Sequence, residues 1–173
     1  MARPVKSRSE FGTILNRNFF SRDTVLVARE LLGMWLVLGD KAAMIRETEA
    51  YLPTGDPAAH AYAGRTKRTS VIFGPPGHAY VYLNYGLHHM LNVVVEPEDR
   101  PGCVLIRSAG EWTGPGRLTR GMGIDLRHYG ADLTGGELRI HEGKRIDDAL
   151  VQVTPRIGIS KAVDKHLRFL IAP

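Results

Sequence analysis

From His78 to Glu96 the chain reads HAYVYLNYGLHHMLNVVVE, with aromatic and β-branched residues alternating on both sides of Asn84-Tyr85-Gly86. That pattern predicts two antiparallel strands joined by a tight turn, Asn84 and Gly86 supplying the positive φ angles and Tyr85 riding at the tip. An earlier hairpin follows from Met34-Trp35-Leu36-Val37-Leu38, the turn Gly39-Asp40-Lys41 and a partner run from Ala43 to Leu52. Cys103 to Arg107 reads as a buried strand, Thr134 to His141 and Arg156 to Ile159 as further strands, and Leu167 to Ile171 as a short apolar closing segment. Helical spacing of Val25, Leu26, Arg29 and Leu32 predicts a core-packing helix, with Ser21 as N-cap, Asp23 at the positive end of the dipole and Gly33 as C-cap. Pro53 to Gly77 is too rich in Pro, Gly, Thr and Arg for one strand and reads as a functional loop, with a short helix over Ala58 to Ala63.

No interdomain linker interrupts these elements. Together they predict one α/β (α+β) domain over residues 1–173 with a mainly antiparallel sheet, preceded by a flexible basic arm over 1–16. A chain of 173 residues is long enough to bury roughly 70% of the surface its unfolded form exposes. Cys103 is the single cysteine, so no internal disulfide is possible. The basic N-terminus has no apolar run behind it, and no stretch approaches a membrane span, so the expectation is a cytoplasmic protein that does not associate with membranes.

Twenty-three basic against 18 acidic residues leave a net charge of +5. From Pro57 to Val95 there is no Asp or Glu, whereas Arg65, Lys67, Arg68, four of the seven histidines and four of the six tyrosines fall there. Such a segment suits a phosphate backbone with bases stacked on rings, or equally an ordinary sheet with solvated basic loops.

Ile45-Arg46-Glu47-Thr48-Glu49-Ala50-Tyr51 is the most informative short stretch. As a strand it places Ile45, Glu47, Glu49 and Tyr51 on one face, the two carboxylates roughly 7 Å apart beside a ring. Paired acids suit glycosyl chemistry, where a carboxylate takes the proton of an attacking water or stabilises an oxocarbenium-like centre. The plainer alternative is that both face water or pair with Arg46 and its neighbours. Arg107 ends an apolar strand, so it either joins Glu47 or Glu49 in a structural ion pair or points into a polar site. Tyr80 and Tyr82 share a strand face and divide between packing and ligand contact. Tyr85, at a turn tip, gains little from a core but suits insertion between base pairs. His60, just after Ala58-Ala59, is either a hydrogen-bond donor to a ligand or a surface residue. Gly114-Pro115-Gly116-Arg117 offers backbone N–H groups and one cation to a phosphate, or a plain turn. The adjacent pair His88-His89 is a poor arrangement for one metal ion, and no paired-Cys, HExxH or GxGxxG pattern appears, so neither metal nor cofactor is expected.

The segments ETEAYLPTGDPAAHAYAGRT, GHAYVYLNYGLHHMLNVV, CVLIRS, TGPGRLTRGMGI and PRIGI with LRF, in that order, resemble the alkyladenine (3-methyladenine) DNA glycosylase family over nearly the whole chain. The resemblance implies a curved antiparallel sheet with a protruding hairpin. It makes Glu49 the general base for the attacking water, with Arg107 and the main chain at Ile157 holding that water. Tyr51, Ala58, His60, Tyr82 and Asn92 become the pocket for a flipped base, the two rings sandwiching it, His60 hydrogen-bonding to it and Asn92 excluding unwanted bases. Tyr85 becomes the inserted ring, and Arg65, Thr66, Arg68, Gly114 and Arg117 contacts on the phosphate side. The implied partner is duplex DNA carrying damaged purines, engaged by a monomer. Two readings compete: a glycosylase-lyase with an amine nucleophile, for which no lysine lies in the acidic, aromatic or hairpin motifs, and a damaged-DNA-binding module without turnover.

Overall fold

A hairpin at one end of the sheet is built from β3 (Ala79–Asn84) and β4 (His88–Val95), with Asn84 opposite His88, in the computed structural model, which describes residues 11–172. The connection is three residues long, Tyr85-Gly86-Leu87, so the positive φ angles fall on Tyr85 (49°) and Gly86 (66°) rather than on Asn84, which still pairs as the last residue of its strand. The other strands are β1 (Trp35–Leu38), β2 (Lys41–Tyr51), β5 (Gly102–Ala109), β6 (Trp112–Thr113), β7 (Leu138–His141), β8 (Val151–Thr154) and β9 (Arg168–Ile171). These nine strands of the described residues form one curled sheet with the order β3-β4-β5-β2-β1-β7, every pairing antiparallel. β6 extends it from β5, and β9 joins β2 to β8.

Three α-helices of the described residues accompany the sheet: α1 (Arg17–Phe20), α2 (Thr24–Glu30) and α3 (Pro115–Met122). The N-cap of α2 is Asp23, whose carboxylate accepts from the N–H groups of Val25 and Leu26, while Ser21 closes α1 instead. An anion there satisfies two orphan donors and complements the dipole, which a serine does less well. Thr24, Val27 and Ala28 form the buried face of α2, and Leu26 is exposed. Gly33, at φ +86°, turns the chain into β1.

Strand periodicity divides the buried side chains between two faces. Val81, Leu91, Val93, Val104 and Ile106 join Phe20, Leu31, Leu36 and Leu118 in the main core, each such burial contributing about 1.5–3 kcal/mol. Tyr80, Val94 and Cys103 point to the other face, where Ala61 and Ile72 of the Pro53–Gly77 loop cover them. That second face holds the candidate site.

Several expectations are corrected. Arg156 to Ile159 is loop, and strand structure lies instead at β8 just before it. Only Leu138–His141 of the run beginning at Thr134 is strand, because Thr134 turns back to Asp132 through both its N–H and its hydroxyl. The short helix in the long loop is a 3-10 turn over His60–Ala63. Of the arm expected over 1–16, residues 1–10 lie outside the described residues; residues 12–15 are pinned to the end of β7, with Gly12 donating to Glu142, Leu15 donating to Ile140, and Leu15 buried.

Candidate active site

A fault in the β2–β5 ladder shapes the site. Pairing runs Ile45 with Ala109, Glu47 with Ser108 and Thr48 with Ile106, so Arg46 is an extra residue on β2 and Arg107 an extra residue on β5. The expected sharing of one face by Ile45, Glu47, Glu49 and Tyr51 is thereby broken. Ile45 joins the main core together with Ala50, whereas Glu47, Glu49 and Tyr51 turn toward Arg107 and the second face. A bulge re-aims a side chain out of the ladder, and here it delivers the guanidinium of Arg107 to both carboxylates.

Glu49 is fully buried. Its Oε1 accepts the backbone N–H of Ile157 at 2.9 Å and pairs with Arg107 Nη1 at 3.3 Å, and its Oε2 accepts the Tyr51 hydroxyl at 3.0 Å. Burial, and next the charge of Glu49, pushes the Tyr51 phenol far up, so Tyr51 remains a donor. Arg107 Nε donates to Glu47 Oε1 at 3.0 Å, so the two alternatives for Arg107 are both realised: it is in an ion pair and it lines the cleft. Arg46, the partner considered for the acids, is exposed.

The cleft beside this cluster has a volume of ≈ 610 Å³ and is lined by Tyr51, Ala58, His60, Tyr82, Asn92, Arg107 and Ile157, with Tyr85 at its mouth. Sequence elements far apart thus meet there. The His60 and Tyr82 rings pack edge to face, centroids 4.5 Å apart. Burial, and then Arg68, lowers the His60 imidazole to about 4, so it is neutral at neutral pH. The Tyr80 hydroxyl lies 2.8 Å from Nδ1 and Arg68 Nη2 2.9 Å from it, while Arg68 Nε donates to the Tyr80 oxygen. Arg68 Nη2 also lies 3.4 Å from Nε2, so Arg68 and the Tyr80 hydroxyl together fix the orientation of the imidazole. Asn92 is buried and donates to the Tyr80 carbonyl at 3.3 Å.

On the outer surface Tyr85 is 90% exposed, and Leu87 beside it is exposed as well. Arg117 is exposed in the first turn of α3. Other residues expected on the phosphate side have internal partners. Arg65 pairs with Asp99 at 3.2 Å and lies over Phe73, Thr66 bonds Thr69 through N–H and hydroxyl, Gly114 donates its N–H to Ser108 Oγ, and Arg68 turns inward over Tyr82 at 5.2 Å.

Four residues that sequence patterns did not single out complete the arrangement. Asp56 and Arg156, neither with any exposed side-chain surface, form a two-pronged pair at 2.7 and 2.8 Å. The Arg156 guanidinium lies 4.6 Å from the Tyr51 centroid and donates to Ala50 O. Arg168 donates to Glu47 at 2.6 Å, and Lys161 stands at the rim of the cleft. Their signal was faint: Asp56 and Arg156 lie inside quoted motifs, but a contact across 100 residues leaves no local pattern. No group of three or more His, Cys, Asp or Glu side chains gathers for a metal ion among the described residues, and no helix there is long and apolar enough to cross a membrane.

The chain is similar to known proteins over most of its length. The family model described as methylpurine-DNA glycosylase (MPG) matches residues 18–113 and 111–173. Relatives named "Putative 3-methyladenine DNA glycosylase" include one from Ehrlichia ruminantium, 43% identical over 169 residues and covering 91% of this chain and 89% of its own. Another, from Wolbachia pipientis wMel, is 44% identical over 166 residues, covering 91% of each chain. A third, from Carboxydothermus hydrogenoformans, is 42% identical over 182 residues, covering 91% of this chain and 95% of its own.

Proposed function

This chain belongs to the methylpurine-DNA glycosylase family, and from that membership we propose that it flips alkylated or deaminated purines out of duplex DNA and hydrolyses their N-glycosidic bonds with an activated water. A stacked base hides its glycosidic bond, and extruding it costs a few kcal/mol, least where damage has weakened pairing. Tyr85, exposed at the hairpin tip, fills the gap the base leaves. The base enters the cleft between Tyr51 and Tyr82, with His60 and Asn92 at the wall.

Glu49 is the observation that carries the reading. It is fully buried at the cleft, and Ile157, Tyr51 and Arg107 fix both of its oxygens, the arrangement a positioned base needs. The water sits between Glu49, Arg107 and the Ile157 main chain. As the C1′–N9 bond opens, its electron pair leaves with the purine, the water oxygen bonds to C1′, and its proton passes to Glu49. A positioned base of this kind contributes about 10²–10⁴-fold. An N3- or N7-methylated purine leaves as a neutral molecule, which lowers the barrier further, and its cationic form before departure is attracted to the rings.

The test is product analysis on duplexes bearing a single N3- or N7-methylpurine or hypoxanthine. Free purine and an alkali-labile site at the lesion are expected. Binding of these duplexes with neither product would replace this reading with a damage-binding module.

A further inference from the structure

Resting on that reading, we propose that Glu47 is a positioning residue that divides Arg107 between two carboxylates and thereby sets how strongly Glu49 binds a proton. Glu47 touches neither Glu49 nor, through any contact seen, the space a base would fill; it acts through Arg107. Its Oε1 accepts from Arg107 Nε at 3.0 Å and from Arg168 Nε at 2.6 Å, and its Oε2 from Ser108 Oγ at 2.7 Å. Three donors on one largely buried carboxylate make a rigid anchor. Burial alone would raise its pKa, but Ser108, Arg168 and Arg107 outweigh that and hold it below the ordinary Glu range, so it is an anion at neutral pH.

The consequence for Glu49 is geometric. Arg107 gives Glu47 its Nε at 3.0 Å and leaves Glu49 one longer contact, through Nη1 at 3.3 Å. A guanidinium free to fork onto a single carboxylate would make two parallel bonds and depress the basicity that proton abstraction needs. The other groups facing Glu49 are the Ile157 N–H, the Tyr51 hydroxyl, the Tyr82 ring from β3 and Arg168, opposite it in the β2–β9 register, with Arg156 behind Tyr51. Among them Arg107 and Arg168 are the cations that Glu47 also holds. Ser108, which donates to Glu47, accepts the N–H of Gly114, so the same carboxylate ties down the turn that opens α3.

The experiment measures single-turnover release of hypoxanthine against pH for wild type, Glu47→Gln, Glu47→Asp and Arg168→Gln, with lesion-duplex binding measured alongside. In Glu47→Gln, Arg107 swings to Glu49 and a neighbouring negative charge is lost. The acid limb is expected to move to lower pH by about one unit or more, with the plateau reduced about tenfold and binding unchanged. Glu47→Asp restores part of the plateau. In Arg168→Gln, Glu47 draws Arg107 away from Glu49, and the limb moves the opposite way, to higher pH. This variant also serves if Glu47→Gln does not fold. Rates that fall with no movement of the limb in either variant, or a limb that moves the same way in both, would reduce Glu47 to a structural ion pair and overturn the proposal. A wild type that binds but releases nothing would overturn the glycosylase reading itself, a result separable from the first because it appears before any variant is made.

Discussion

Ile157 donates its backbone N–H to Oε1 of Glu49 at 2.9 Å, across 108 residues of chain. The loop that carries it is held from behind by the adjacent Arg156, which forks onto Asp56 and stacks on Tyr51 with no exposed side-chain surface. Tyr51 and the proposed base therefore share one buried anchor.

Asp56→Asn removes the partner of a buried guanidinium. Loss of about 3–5 kcal/mol is expected in urea denaturation, since breaking such a pair leaves an uncompensated charge. Burial would raise the Asp56 carboxyl, but Arg156 and the N–H groups of Leu52 and Ala58 hold it below the ordinary Asp value. The sign follows: its contribution to stability is full above the unfolded pKa near 3.8 and is lost as pH falls through the lower folded value. Unaltered stability in Asp56→Asn at pH 7 would show that the pair anchors nothing.

Tyr85→Ala takes away the hairpin-tip ring without touching the cleft chemistry. Release from a lesion in duplex DNA is expected to fall about 10-fold or more, because the flipped state loses its wedge, while release from the same lesion in a single strand stays near wild type. Equal losses on both substrates would place Tyr85 in the chemical step instead.

His60, lowered to about 4 by burial and Arg68, binds protons more readily unfolded than folded below the ordinary His range. Stability should therefore be full above about 6.5 and erode as pH falls from there toward 4. His60→Gln should lack that part of the erosion and should release hypoxanthine more slowly at pH 7, without moving the acid limb of the rate profile. A limb that moves with His60 would make the imidazole, rather than Glu49, the titrating base.

Lys161 at the cleft rim is the residue through which an amine mechanism would run. Water as nucleophile predicts no covalent DNA adduct on borohydride treatment during turnover. An adduct lost in Lys161→Gln would show that the enzyme also forms a Schiff base with the abasic sugar.

How much of this was readable in advance depended on distance along the chain. Glu49 and Tyr51, two apart on a β-prone run, and a tight turn around Tyr85-Gly86 between alternating strands were legible because strand period and turn chemistry are local, although the turn lies one residue later than Asn84-Tyr85-Gly86. The bulge was not: two extra residues on facing strands, Arg46 and Arg107, leave no composition signal, yet they separate Ile45 from the acids and aim Arg107. Arg156 to Ile159 looked like strand from its β-branched residues, but the Asp56 ion pair 100 residues away holds it as a loop. Arg68 looked like a phosphate contact from its basic neighbours. It is an exposed residue that also bonds His60 and Tyr80, two partners brought to it by the loop folding over the sheet, which no local pattern shows.

The most direct measurement is single-turnover base release from matched duplexes carrying one methylated purine, one hypoxanthine or no lesion, comparing wild type with Glu49→Gln. The account predicts lesion-dependent release that falls by at least about 10²-fold in the variant while lesion binding persists. Release that survives in Glu49→Gln would contradict it, and would mean that the group activating water lies elsewhere in the cleft.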